Sequence, residues 1–395
     1  MFSPGTLMDK RLSQLKEAKE RFDRSSQSSI PKIQRVPKFL RQNERFYKYC
    51  SPKIISFGPI HHNNISLGEG EHYKLLWTSI FVAEYGIKID QDANQACKLL
   101  FKMIEDNIEE LKNMFTEEEI QGYNDDDLAW ILFVDGCSLI YFMENIDEHC
   151  PKALNLKFDQ LMYIWRDALL LENQLPRKMI EILCKEKGVD MGFLDENYGS
   201  MGECKRSGMV MIQVVANKTD EWTWSNISFK SKWFGGELRL PTFLFNDVTP
   251  YLFRNLIAYE MCPDVHYDYE CCSFFSFMDS LVDNAEDVKE LRLAGVFQNL
   301  LGSDDELAKL FNDLGDDLPT KMCCHDSYTN AVAYSKKYIM IKLQIEKHYT
   351  NKWKTWLAQA YNTYFNSPWA MIAFLAASLA LVLTFIQTWF TIHPN

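Results

Sequence analysis

The chain has 395 residues, 47% apolar and 14% aromatic, ample for a sizeable core and, as a soft prior, two domains. Its formal charge is −12, and no basic patch exists outside the lysines preceding the terminal apolar run, which excludes a nucleic-acid-binding surface. Eleven cysteines, an odd number without regular spacing, suit a reducing compartment better than a disulfide framework.

Residues 1–29 are charged and Ser-rich and read as a mobile or partly helical lead, with no apolar stretch of signal-peptide length. Residues 30–327 read as a mainly α, multi-helix globular domain with a small β excursion. Ala96, Leu99, Leu100, Met103, Ile104, Ile108 and Leu111 recur at three- and four-residue spacing, one apolar helix face. Thr116 with Glu119 fits a capping box. Asp125–Asp127 precede the apolar run 128–143 as acids favoured at the start of a buried helix; they lack the glycine and further oxygen ligands of a calcium loop. Residues 158–176 predict another buried helix ended by Pro176, and 177–188 a helix closed by Gly188. Near 222–245 the composition turns aromatic and β-branched, predicting two short strands, 222–229 and 237–245. Helical patterns resume over 249–261, 273–283, 285–295 and 303–314, the last capped by Ser303, and a helical stalk is expected over 328–366.

Trp369–Phe390 carries no charged side chain and is close to the ~20 residues a helix needs to cross hydrocarbon. Ser367 and Pro368 suit its start, and Trp369, Trp389 and Phe390 lie at its two ends, where a bilayer interface favours aromatic rings. Ala373, Ala376, Ala377 and Ala380 offer a small-residue face for a homodimer. Lys336, Lys337, Lys342, Lys347, Lys352 and Lys354 precede the span and only His393 follows. The positive-inside tendency therefore expects a single-pass C-terminal anchor with a cytosolic body, at the plasma membrane or endoplasmic reticulum. The same lysines suit an anionic leaflet. Three glycosylation acceptor patterns, at Asn64, Asn217 and Asn226, pull the other way.

Candidate chemistry is sparse. Gly58-Pro59 predicts a tight turn before His61 and His62, whose imidazoles either bond backbone carbonyls or serve as bases or ligands with His72. Cys262, His266, Cys271 and Cys272, or Cys323, Cys324 and His325, assemble into zinc sites only on paper, because adjacent cysteines lack the usual ligand bite; packing thiols are the preferred reading. Glu172, Asn173 and Gln174 stand before Pro176, where amide side chains can satisfy carbonyls that a proline orphans, and Glu172 can pair with a buried arginine. Asp135 inside an apolar run demands a partner such as Arg35, Arg166 or a backbone amide. No nucleophile-elbow, P-loop, dinucleotide or zincin motif occurs, and no cofactor is implied.

Several stretches together resemble the plant family of domain of unknown function 247. They are Val36-Pro37 with "SFGPIHHN" (Gly58, Pro59, His61, His62), the E-x-x-K of Glu71 and Lys74, and "LFVDGCSLI" with Asp135 and Gly136. "LLLENQLP" (Glu172, Asn173, Gln174, Pro176), "LFRNLIAYE" (Arg254, Asn255, Glu260), "LGSDDELAKLFN" and the terminal apolar run follow in order. The resemblance covers about residues 30–392, with departures at Ile60, Asn63 and residues 204–211. It implies a plant membrane-anchored protein without an established enzymatic activity, its partner another protein or peptide, some grass members being implicated in pollen self-incompatibility. A hydrolase using histidine or cysteine and a membrane scaffold are the alternatives.

Overall fold

The structure, a computed structural model, describes residues 7–27, 31–146, 154–190, 227–232, 235–265, 269–316, 318, 335–350 and 368–392. The chain divides into two units: residues 1–223 with 242–333, and residues 224–241 with 334–395.

Unit 1 opens on α1 (Leu7–Gln27), whose described side chains are exposed. Its first layer is built on three helices, α4 (Gly68–Lys88), α5 (Ala93–Asp106) and α8 (Asp125–Asn145), joined by the short α2 (Lys38–Arg41), α3 (Glu44–Tyr47), α6 (Ile108–Lys112) and α7 (Glu117–Ile120). Helix α8 is apolar on all sides, as a helix wrapped by others must be; from Leu128 to Met143 every residue but Trp130 is buried. It starts where Asn124 caps it, accepting the Asp127 amide at 2.8 Å, with the three aspartates in its first turn against the positive end of the helix dipole. The face expected over 93–111 is divided between two helices. Asn107 ends α5, its side chain donating to the Met103 carbonyl at 2.8 Å, and Leu99 points outward at 45% exposure. Thr116 does precede α7, but its side chain makes no cap hydrogen bond; the Glu119 amide bonds the Thr116 carbonyl at 3.1 Å and the Glu119 side chain pairs with Arg35 at 3.0 Å.

The next helix stops short of the predicted end. α9 (Phe158–Ala168) gives way to a 3-10 turn at Leu171–Asn173, and α10 (Arg177–Lys187) begins after Pro176. Gly188 closes α10 in the left-handed region, φ +79°, with its amide on the Cys184 carbonyl at 2.7 Å.

The second layer of unit 1 comprises α11 (Thr249–Glu260), α12 (Glu270–Asp279), α13 (Ala285–Leu293) and α14 (Asp304–Asp316), the last with its Glu306 amide on Ser303 Oγ. Phenylalanines fill it: Phe245 lies edge-on to Phe253, Phe297 and Phe311, while Phe297 and Phe311 stack at 5.6 Å.

The strands differ in detail from the predicted pair. β1 (Ser228–Lys232) and β2 (Gly235–Arg239) form an antiparallel hairpin in unit 2, Ser228 opposite Arg239. β3 (Phe243–Phe245) belongs to unit 1 and pairs in parallel with β4 (Phe297–Asn299), a three-residue strand in the gap between two predicted helices, where no element was expected. The residues 222–226 expected in the first strand lie outside the described ones. Also in unit 2, α15 (Lys336–Thr350) packs on β1, with Ser231 Oγ hydrogen-bonded to His348 at 2.7 Å and Phe229 edge-on to the same ring. The remainder of the expected stalk, 328–334 and 351–366, lies outside the described residues. α16 (Pro368–Ile392) is long and apolar enough to cross a membrane: over Ile372–Trp389 its mean hydropathy is 1.9 and none of it is buried. The hydroxyls of Ser378, Thr384 and Thr388 donate to carbonyls four residues earlier, which hides them from hydrocarbon.

Candidate functional site

Several of the residues singled out by the sequence, Lys74, Asp135 and Asn173 among them, converge on one irregular strip of backbone, 53–61. From Ile55 to His61 every residue is buried, yet the strip belongs to neither helix nor sheet. Buried amides and carbonyls without a ladder must find side-chain partners, and here they do. Asp167, on α9, accepts the amides of Lys53, Ile54 and Ile55 at 2.6–3.0 Å. Asn173 accepts the Phe57 amide at 2.6 Å and donates to the Ile55 carbonyl at 3.1 Å. Asp135, on α8, accepts the Gly58 amide at 2.7 Å, and Lys74, on α4, donates to the Ser56 carbonyl at 2.9 Å. Side chains from four elements, α4, α8, α9 and the 3-10 turn after it, thus do what a neighbouring strand would do in a sheet.

Charges in this web are matched. Lys74 is wholly buried, with its Nζ 2.7 Å from Asp135 Oδ1 and 2.7 Å from Glu71 Oε1; Ser56 Oγ donates to Glu71 at 3.2 Å. Burial alone would lower the Lys74 pKa, but the two carboxylates outweigh it and hold the ammonium above its ordinary value. The Asp135 partner is therefore Lys74, together with the Gly58 amide, and neither of the expected arginines. Arg35 spans Glu119 and the Ile60 carbonyl, while Arg166 lies between the rings of Tyr163 and Tyr251 at 5.1 and 5.2 Å. Lysine reaches where arginine does not because Glu71 and Lys74 sit one turn apart on α4, directly over the strip. Gly58 takes φ +75°, and a Cβ there would meet the Gln174 carbonyl oxygen at 2.9 Å, so the turn before Pro59 admits no side chain.

Glu172 closes the other end. It accepts the Val36 amide at 2.8 Å and pairs with His61 Nε2 at 2.8 Å, so its partner is an imidazole instead of an arginine. His61 thus bonds a carboxylate, not a backbone carbonyl; His62 stands edge-on to Tyr123, whose hydroxyl donates to the Pro59 carbonyl at 3.0 Å. Asn173 and Gln174 serve the carbonyls left where α9 ends: Asn173 donates to Asp167 O at 2.9 Å, and Gln174 to Ala168 O at 3.2 Å and Leu170 O at 2.6 Å. Pro176 stands at the start of α10. Gly136 lies on α8 against Met179 and Leu183 of α10.

The α11 residues extend the same logic to the second layer. Asn255 accepts the Leu171 amide at 2.8 Å and donates to the Tyr49 and Tyr251 carbonyls. Arg254 lies over the Tyr49 ring at 4.0 Å, and Glu260 accepts the Cys271 and Cys272 amides at 2.7 Å each, capping α12 from a distance. Asp167 and Ser56 were not singled out by the sequence, although Asp167 carries the same signal as Asp135, an acid in an apolar helix.

Chemically, His61 and Glu172 have the geometry of an oriented imidazole. No hydroxyl or thiol among the described residues is hydrogen-bonded to that imidazole. The buried Cys50 thiol is pushed well above the usual range by burial and then by Glu172, which keeps it protonated and poorly nucleophilic. Cys262 is also buried and donates to the Ala258 carbonyl at 3.3 Å; His266, Cys323, Cys324 and His325 lie outside the described residues. No group of histidines, cysteines and acids suited to a metal occurs among the described residues.

A family profile described as "plant protein of unknown function", domain of unknown function 247, matches residues 33–198 and 207–383. A UPF0481 protein of Arabidopsis thaliana is 28% identical over 165 residues, which are 41% of this chain and 28% of that protein, so the match spans under a third of the relative's length. No solved structure matches.

Proposed function

The chain belongs to the plant family of domain of unknown function 247, and from that premise we propose that it is a bilayer-anchored recognition protein, held by α16, with a cytosolic body that binds another protein or a peptide. The observation that carries the reading is Trp130. Alone among residues 128–143 it is left outside, 49% exposed, while its ring is held by Phe101 at 5.8 Å and Phe133 at 5.6 Å. A large aromatic fixed in one orientation at the surface has little conformational entropy left to lose, which is the character of an interface anchor. The polar groups that would otherwise suggest catalysis are engaged in holding the 53–61 strip, which supports recognition over bond-making.

The test compares wild type with Trp130→Ala, both full length, purified from plant membranes, with associated proteins quantified. Losing the contacts to Phe101 and Phe133 should cost roughly 1–3 kcal/mol and leave the chain folded, while at least one associated protein falls roughly tenfold or more. An unchanged set of associated proteins would sink the assignment of Trp130 and, with it, the reading.

A further inference from the structure

We propose that one stripe of α15 docks on an anionic lipid surface, so that unit 2 meets the bilayer twice, through α16 and through this helix. The inference rests on the anchoring reading above and deepens it by naming the lipid chemistry. It begins with charge. Unit 2 holds nine lysines and arginines against Glu237 and Glu346, a formal +7, which leaves −19 for unit 1 in a chain of −12. Unit 2 is set apart by its shortage of acids, two of the 54, while its nine bases of 42 are about its share by length, so the unit that carries the apolar span is left net positive.

Geometry narrows the charge to a surface. α15 has two faces. Tyr338 and Ile341 are buried and His348 is engaged by Phe229 and Ser231 of β1. Lys336, Met340, Leu343 and Lys347, spaced four, three and four residues apart, share another stripe. On it both lysines are exposed, and the apolar pair is 55% and 38% exposed. Two unburied apolar side chains between two cations are what an interfacial helix presents: the apolar groups enter between headgroups while the ammonium groups stay at their level. Residues 351–367 tether the end of α15 to the span within about 60 Å even at full extension, so a leaflet is always in reach. A cation near an anionic leaflet gains roughly fivefold in partitioning, and two act together here. An acidic protein partner would match the lysines but leaves no reason for this unit to be the one attached to the span.

The experiment is amide hydrogen exchange on the full-length chain in nanodiscs of phosphatidylcholine alone or with about one-third phosphatidylserine. Docking predicts that residues 336–347 exchange at least roughly fivefold more slowly in the anionic discs, that high salt erases the difference, and that Lys336→Glu with Lys347→Glu abolishes it. Unchanged exchange across unit 1 reports that the variant is folded. Incorporation into both discs with equal exchange over 336–347 overturns the docking while leaving the anchor standing. Failure to enter discs of either composition overturns the anchor and the docking together.

Discussion

Asp135 and Lys74 share a site where neither has any water to fall back on, at 1% and 0% exposure. Asp135→Leu leaves the ammonium with Glu71 alone and the Gly58 amide without its acceptor. Breaking such a pair from one side costs about 3–5 kcal/mol. Replacing both partners, Lys74→Met with Asp135→Leu, should recover the part due to the stranded ammonium, while the Gly58 amide and the Ser56 carbonyl stay unpaired. Thermal unfolding of the detergent-solubilised chain measures both; a single variant as stable as wild type would refute the pairing. Asp167 yields a pH prediction. Burial pushes its carboxyl up to about 6, against the pull of three backbone amides, from an ordinary value of 3.8. The folded state thus holds the proton more tightly than the unfolded one. The stability this group contributes is present below about pH 4 and is lost as pH rises through 6, about 3 kcal/mol in all. Asp167→Asn does not titrate, so the gap in thermal midpoint between wild type and variant should shift against wild type between pH 4 and 6 and stay level above. A gap constant across that window would show that the amides win. The sequence displayed Asp135 because an acid in an apolar helix must be paired; it could not display Lys74 as the partner, since that pairing joins two helices and only the fold brings them together.

Among the elements, the strip at 53–61 depends on how closely α4 can approach it. A Cβ at Gly70 would fall on the Ile54 carbonyl oxygen and within 2.7 Å of Ile55 Cα, both backbone atoms that the Asp167 clamp prevents from moving. At Gly136 the obstructing atoms are the ends of Met179 and Leu183, which can turn aside. Gly70→Ala should therefore cost several kcal/mol, on the order of an overpacked core or more, and Gly136→Ala about 1 kcal/mol or less. Unfolding midpoints that rank the two the other way would mean that the strip is not held as described. The helices were largely legible because apolar spacing and caps are local: Gly188 and Ser303 mark ends that the structure keeps. The rest was decided by partners distant in sequence. β3 finds β4 more than fifty residues on, and the apolar run after α9 leaves the helix because Asn173, Gln174 and Asn255 offer its backbone other bonds. A strip of buried backbone carried by side chains has no periodicity at all, so its residues could be suspected one by one but not assembled.

For the whole molecule, the sorting of charge, −19 on the body and +7 on the unit with the span, bears on which side of a membrane the body lies. Lysines 352 and 354 lie within the stretch before the span that counts for orientation, and residues 391–395 carry no lysine or arginine. Each such cation disfavours translocation, so the body is expected on the cytosolic side, which would also keep the seven described cysteines in reducing conditions. The competing signal can be used as the reporter. Asn64 is exposed on unit 1, capping a short 3-10 turn with Ser66 of the same acceptor pattern, so nothing in the fold hides it from the glycosylating enzyme. In intact microsomes an N-terminal epitope on the full chain should be lost to added protease, and endoglycosidase should leave the electrophoretic mobility unchanged. Protection of the epitope together with a glycosidase-dependent mass shift would reverse the orientation. It would also make the surface proposed around Trp130 an extracytoplasmic one, facing partners from outside the cytosol.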